Sequence, residues 1–440
     1  MSSSVVVIVG RPNVGKSTLF NRLIGKRKAI IDNLPGVTRD RNYGRCTWEG
    51  KEFLLIDTGG LDSETESAIS GRVHEHALIA IEEADIIIFL MDVRDGLLPS
   101  DKDIHRMLKK GNKPAFYVVN KVDNEKMVAQ ISDFYSLGTD NIFPISASHG
   151  TGVDALMAEV AAHLPVRSAP ESETEKTRLA IIGRPNVGKS SLLNKILRQE
   201  RSLVSEEPGT TRDCIDTPFT YNHRSYVIMD TAGIRRRKKV KHGLERLTVI
   251  KTLRNIEDSD VALFLIDAVR GITEQDVRIA GFAHEAGKAI IIVINKWDAV
   301  TKDEKSTKKY EEDFRFRLKY IQYAPMIFVS ALTGQRVYKI FSLVEQVMDQ
   351  YRMRVNTGRL NRIVEAALAK FPPPIYRGRK VKFNYQTQVS VQPPTFVFFV
   401  NFPQGVHFSY QRYLQNRLRE ELGLSMTPLR LFIKSKRAPG

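Results

Sequence analysis

Gly10-Arg11-Pro12-Asn13-Val14-Gly15-Lys16-Ser17 returns letter for letter, 173 residues further on, as Gly183-Arg184-Pro185-Asn186-Val187-Gly188-Lys189-Ser190. In each copy a β-branched run, Val5–Val9 or Leu179–Ile182, ends just before the first glycine, and helix-forming residues follow the serine. Gly-x4-Gly-Lys-Ser between a strand and a helix is a phosphate loop. Its glycines let backbone N–H groups close on an anion, and the helix N-terminus adds partial positive charge. A single match is also what a Gly-rich turn opening a helix looks like. Two matches, each in strand–loop–helix context, leave that reading negligible.

The repeat extends along the chain. At the same interval Pro35-Gly36-Val37-Thr38-Arg39-Asp40 reappears as Pro208-Gly209-Thr210-Thr211-Arg212-Asp213, and Asp57-Thr58-Gly59-Gly60 as Asp230-Thr231-Ala232-Gly233. Asn120-Lys121-Val122-Asp123 returns 175 residues on as Asn295-Lys296-Trp297-Asp298, and Ser146-Ala147 returns 184 residues on as Ser330-Ala331. A period this long is a duplicated domain rather than a solenoid unit. The extra residues of the second copy fall around Thr301 to Tyr320, a charge-rich stretch that reads as a solvated helix.

Short apolar runs precede the motifs. They are Val5–Val9, Phe53–Ile56, Ile86–Met91, Ala115–Val119 and Ile142–Ile145, then Leu179–Ile182, Tyr226–Met229, Val261–Ile266, Ala289–Ile294 and Met326–Val329. Alternating with helical segments, they predict two α/β domains with doubly wound, mostly parallel sheets and ligands at the carboxyl edge. The expected boundaries are 1–165, an acidic linker over 166–177, 178–350, and a basic domain over 351–440.

Each motif implies a role in binding a guanine nucleotide. Lys16 and Lys189 are placed to reach the β/γ oxygens, and Ser17, Asp57, Ser190 and Asp230 to hold Mg2+. Thr38 and Thr211 are the switch threonines for the metal, and the N–H groups of Gly60 and Gly233 the sensors of the γ-phosphate. Asp123 and Asp298 can accept from the guanine N1–H and 2-amino group, donors that adenine lacks. Asn120 and Asn295 are expected to brace the loops and face the base, Lys121 and Lys296 to cover its ring, and the Ser146-Ala147 and Ser330-Ala331 loops to offer a backbone N–H to its O6. The glutamine that orients water in Ras-like enzymes is replaced by Leu61 and Ile234. A potassium ion held partly by Asn13 and Asn186 is one candidate substitute; loop shaping alone is an equal account of those asparagines.

The net charge of +17 is concentrated at one end, since residues 351–440 carry 16 Lys/Arg against 3 Asp/Glu. Such asymmetry points to a polyanionic partner. No apolar run approaches the roughly 20 residues of a membrane span, no basic-then-apolar leader opens the chain, and Cys46 and Cys214 make neither a disulfide framework nor a metal site; both are expected to be bland surface or sheet thiols. A cytoplasmic protein is expected.

With two such domains in tandem and identical Gly-Arg-Pro-Asn-Val-Gly-Lys-Ser loops, the sequence closely resembles the bacterial Der (EngA) GTPases over essentially its whole length. The resemblance implies a GTP-hydrolysing switch that associates with the ribosome and helps mature the large subunit through rRNA contact, with a C-terminal α+β KH-like domain. It also strengthens the potassium reading. No membrane or DNA partner is implied, and a monomer is expected. The tail reads helix (Leu360–Lys370), strands (Lys380–Val389, Thr395–Asn401), helix (Tyr410–Leu422) and strand (Leu429–Ser435), but holds no Gly-x-x-Gly, the backbone clamp of KH modules. Any RNA contact should then run through Arg377, Arg379, Lys380, Arg412, Arg417 and Arg419. Arg235-Arg236-Arg237-Lys238-Lys239, directly after Gly233 and Ile234, reads as a basic switch segment. The alternatives are an RNA scaffold that binds GTP with negligible hydrolysis, which Leu61 and Ile234 favour, and a membrane-remodelling GTPase, which the lack of an anchor disfavours.

Overall fold

The structure is a computed structural model that describes residues 4–25, 43–58, 81, 84–111, 113–139, 141–164, 176–199, 216–229, 245–300 and 306–435. The first copy runs β1 (Ser4–Val9), α1 (Lys16–Gly25), β2 (Tyr43–Trp48), β3 (Lys51–Asp57), β4 (Ile86–Asp92), α2 (Pro99–Lys110), β5 (Ala115–Asn120), β6 (Ile142–Pro144) and α3 (Val153–His163). Its sheet has the order β2-β3-β1-β4-β5-β6 and is parallel except for β2, which pairs antiparallel with β3. Every residue of β1 and β4 is buried, which is why these strands read as unbroken Val/Ile runs. Each such side chain withdrawn from water contributes about 1.5–3 kcal/mol before the entropy of ordering is set against it.

The second copy repeats the plan with β7 (Thr177–Ile182), α4 (Lys189–Gln199), β8 (Thr217–Tyr221), β9 (Arg224–Ile228), α5 (Glu245–Asp258), β10 (Val261–Asp267), α6 (Glu274–Glu285), β11 (Ala289–Asn295), α7 (Ser306–Arg317), β12 (Met326–Phe328) and α8 (Lys339–Tyr351). The sheet order is β12-β11-β10-β7-β9-β8, with β8 the antiparallel edge. All ten expected strands are present, and α7 lies in the stretch expected to be helical. Strand β7 begins at Thr177, the last residue assigned to the linker. The edge strands β2 and β8 were not expected. Cys46 is a buried thiol on β2, while Cys214 lies outside the described residues.

The tail comprises α9 (Thr357–Lys370), a two-residue hairpin of β13 (Ile375–Tyr376) and β14 (Arg379–Lys380), then β15 (Phe383–Ser390), β16 (Thr395–Val400), α10 (Phe408–Leu422) and β17 (Arg430–Ser435). Strand β16 is central, antiparallel to β15 and parallel to β17. Leu360, Val364, Phe396, Phe398, Leu414, Leu418 and Leu431 form the tail's own core between the helices and one sheet face. The chain divides into two compact units, Met1–Glu171 with Lys241–Arg254 and Ser172–Val240 with Asn255–Gly440, so the tail shares a unit with the second sheet.

Within that unit the tail is seated by specific bonds. The Met426 N–H donates to Gln350 Oε1 at 2.7 Å, the Gln392 N–H to the Tyr351 carbonyl at 3.0 Å, and Arg430 Nη2 to the Glu285 carbonyl at 2.7 Å. The Arg419 guanidinium lies 5.0 Å from the centroid of the Tyr323 ring and donates to the Leu424 and Thr427 carbonyls. Beside them His284 is pushed down to about 4 by burial, reinforced by the Arg430 and Arg419 charges. Arg419 therefore packs the tail onto the second copy instead of facing a nucleic acid. Arg417 is paired with Glu420 and Glu421. Arg377, Arg379, Lys380 and Arg412 are exposed as expected.

Candidate functional site

Both phosphate loops leave the carboxyl end of the strand where the sheet order reverses, β1 or β7, and run into α1 or α4. Lys16 Nζ donates to the carbonyls of Gly10 at 2.8 Å and Arg11 at 2.7 Å; Lys189 Nζ donates to those of Gly183 and Arg184, each at 2.6 Å. Ser17 Oγ donates to Asp57 Oδ2 at 2.6 Å, which brings together two of the three expected metal residues of the first copy. Asn13 and Asn186 are exposed with φ of 65° and 64°, a left-handed conformation that asparagine tolerates better than most residues. Pro12 and Pro185 lie beside them in the loop, whereas Val14 and Val187 point into the core. The Arg11 and Arg184 side chains are also turned inward. Arg11 pairs with Asp95 at 2.8 Å and Asp101 at 3.4 Å, and Arg184 with Asp276 at 3.2 Å.

The base-side loops are tied to the phosphate loop by one asparagine in each copy. Asn120 Nδ2 donates to the Val14 carbonyl at 2.8 Å while its Oδ1 accepts from the Ala147 N–H at 2.9 Å; Asn295 makes the same bonds to Val187 and Ala331 at the same two distances. The Ala147 and Ala331 N–H groups, in the loops expected to offer a backbone N–H to the guanine O6, donate here to the two asparagines. Lys121 and Lys296, at φ of 66° and 63°, reach back to Asp92 at 2.5 Å and Asp267 at 2.6 Å. Against the penalty of its burial, hydrogen bonds from Lys296 and the Arg270 and Val269 N–H groups hold Asp267 below the usual carboxylate range.

The two carboxylates expected to read the base differ in their surroundings. Asp123 accepts from Ser146 Oγ at 2.6 Å and pairs with Arg94 at 2.7 Å; the Ser146 bond, aided by Arg94, holds it below the ordinary range. Position 269, the counterpart of Arg94 in the second copy, is an exposed valine. Val122 is half-buried, and Trp297 is buried with its ring packed against Phe328 and Tyr310. Thr58 is held on β1 by a bond from Oγ1 to the Ile8 carbonyl at 2.9 Å. Thr38, Gly59, Gly60, Leu61, Thr211, Asp230, Thr231, Ala232, Gly233, Ile234 and the basic run Arg235–Lys239 lie outside the described residues.

Sequence reasoning missed Arg22, Arg94, Asp92 with Asp267, and Asp101 with Asp276. Arg22 on α1 donates to the Ala147 and Ser148 carbonyls and so props the base loop. The aspartates were visible as further repeats at the 175-residue interval, Asp92 to Asp267 and Asp101 to Asp276.

A domain family described as "50S ribosome-binding GTPase" matches residues 5–121 and 178–296, and one described as "KH-domain-like of EngA bacterial GTPase enzymes, C-terminal" matches 354–434. Proteins called GTPase Der from Geobacter sp. (strain M21) and Syntrophotalea carbinolica are each 51% identical to this chain, over 98% and 99% of both partners. One from Listeria welshimeri is 48% identical over 99% of this chain and all of its own length. Among solved structures, Era in complex with MgGDPNP and nucleotides of 16S ribosomal RNA aligns with 61% of this chain and 95% of its own, at 23% identity and a TM-score of 0.31. With nucleotide loops in duplicate, a KH-like tail and about half of all positions shared end to end, the chain belongs to the Der (EngA) family of bacterial GTPases.

Proposed function

We propose that both copies hydrolyse GTP to GDP and phosphate, and that this two-site switch acts in the cytoplasm, as a monomer, in late maturation of the large ribosomal subunit through contact with rRNA. The observation that supports the two sites best is the identical asparagine frame. In each copy one amide joins the phosphate loop to the base loop with the same 2.8 and 2.9 Å bonds. Asp123 and Asp298 accept from guanine N1–H and its amino group, and Lys16 and Lys189, held by loop carbonyls, meet the β/γ oxygens. The Ser17–Asp57 oxygen pair suits a hard cation; with Thr38 there, and Ser190, Thr211 and Asp230 in the second copy, it would hold Mg2+, which neutralises charge developing on the phosphates. The ribosomal role draws on the matched family description and on the exposed cations of the tail.

Co-sedimentation with ribosomal subunits tests that role. Binding to the large subunit is expected with a non-hydrolysable GTP analogue, to fall with GDP, and to weaken as salt rises. Binding indifferent to nucleotide would remove the ribosomal reading and leave the GTPase standing.

Turnover is proposed to use potassium, with the Asn13 and Asn186 amides among its ligands. Glycine at both positions keeps the left-handed backbone and removes the amide. The Asn13→Gly/Asn186→Gly variant is expected to release phosphate at the same rate in potassium as in sodium. Full potassium stimulation surviving in that variant would eliminate the cation site.

A further inference from the structure

In each copy a carboxylate with no solvent exposure lies beneath the phosphate loop, Asp101 in the first and Asp276 in the second. It closes the first turn of the helix that follows β4 or β10. Asp101 Oδ2 accepts from the Leu98 N–H at 3.1 Å, and Asp276 Oδ2 accepts from the Thr273 N–H at 3.0 Å and Oγ1 at 2.8 Å. The same oxygen faces the guanidinium of the loop's second residue, at 3.4 Å for Arg11 and 3.2 Å for Arg184. That arginine's own carbonyl is one of the two that hold the loop lysine. A continuous path therefore runs from helix cap to carboxylate, to guanidinium, to carbonyl, to lysine.

The rest of each arginine's surroundings differs between the copies. Arg11 also pairs with Asp95, whereas Arg184 donates to the Gly271 carbonyl at 3.0 Å. Among the described residues, the ion pair with the buried carboxylate is the contact common to both. A buried ion pair is a poor device for stability, because the desolvation of both charges offsets most of their attraction. A helix cap alone would be served by a neutral side chain. What the ion pair adds is a fixed direction for the arginine's backbone.

We propose that Asp101 and Asp276 are positioning residues for GTP hydrolysis: through Arg11 and Arg184 they set the carbonyls that aim Lys16 and Lys189 at the phosphates. This rests on the reading of the phosphate loops given above. The aspartates touch no reacting atom, and their effect is on the lysine's placement.

The test uses the full chain carrying Asp123→Asn, which withdraws the first site from GTP, so that GTP turnover reports the second. On that background Arg184→Met with Asp276→Asn leaves no buried charge, fills the arginine stem's volume and keeps an oxygen for the Thr273 cap. Turnover under saturating GTP is expected to fall about tenfold or more, as misplacing a catalytic group does. The melting temperature should stay within about 4 °C of the parent and the preference for GTP over ATP should be unchanged. Arg184→Lys, which keeps the ion pair, should retain most of the activity and serves if the double variant does not fold. Parental turnover in the double variant, or Arg184→Lys as impaired as a lysine-deleted loop, overturns the proposal. Lys189→Ala is run alongside; if it turns over like its parent, the phosphate-loop reading is wrong and this proposal falls with it.

Discussion

Asp298→Asn is expected to move the second site from guanine to xanthine nucleotides. The proposed contact has a carboxylate accepting from N1–H and the 2-amino group, and an amide presents its own N–H to one of those donors. Two opposed donors are left unpaired, which in a site built for hydrogen bonding costs about a hundredfold or more in affinity. Xanthine carries a 2-oxo group there and accepts from the amide. Competition of GDP and XDP against a fluorescent nucleotide reads the change. An unaltered preference would remove Asp298 as the base reader. At the first site Asp123→Asn meets a further constraint. Ser146 Oγ, donating at 2.6 Å, would hold the amide oxygen, so the amide nitrogen takes the place where Arg94 now donates at 2.7 Å. Arg94 must therefore let go in that variant.

Gly15→Ala and Gly188→Ala are expected to abolish nucleotide binding at their respective sites, by about a hundredfold or more. At φ of 99° and 102° an alanine is strained, and its Cβ would overlap Asn120 Nδ2 or Asn295 Nδ2. Displacing that amide breaks the bonds to Val14 and Ala147, or to Val187 and Ala331, which together join phosphate and base loops. Gly111→Ala is the control, since φ is −92° there and the nearest atom, the Leu108 carbonyl oxygen, lies 3.6 Å from the added Cβ. Equilibrium titration with a fluorescent GDP checks all three. Tight binding by Gly15→Ala would mean that the loop accommodates a methyl group the geometry excludes.

The duplicated plan was legible because buried parallel strands must be apolar throughout, and because loop chemistry forces particular residues at particular intervals. The antiparallel edge strands were not. Tyr43–Trp48 and Thr217–Tyr221 each present a single fully buried apolar side chain among described positions, Cys46 and Phe219, so neither run nor alternation stands out. The ion pairs escaped for another reason. Arg11 and Asp101 are 90 residues apart, and each by itself reads as ordinary, a basic loop residue and an acidic residue in a first helical turn. Only the sheet brings them together. Trp297 stands inside the Asn-Lys-x-Asp motif, yet its ring is buried in the core, while Asp298 beside it is exposed. Arg419 was read as a charge for a partner because composition reports how many guanidiniums there are, not where they point.

The seating of the tail changes how its charge should be counted. Arg417 is neutralised by Glu420 and Glu421, and Arg419 and Arg430 donate to carbonyls of the protein itself. Of the exposed tail cations, which also include Arg354, Arg362, Lys370, Lys382 and Lys434, a polyanion docking through Arg377, Arg379, Lys380 and Arg412 alone would release about one counterion for each. On single-stranded RNA that corresponds to a slope of roughly −3 in log K against log salt. The figure is far shallower than the tail's formal charge implies, and it leaves room for an association that salt tunes without extinguishing.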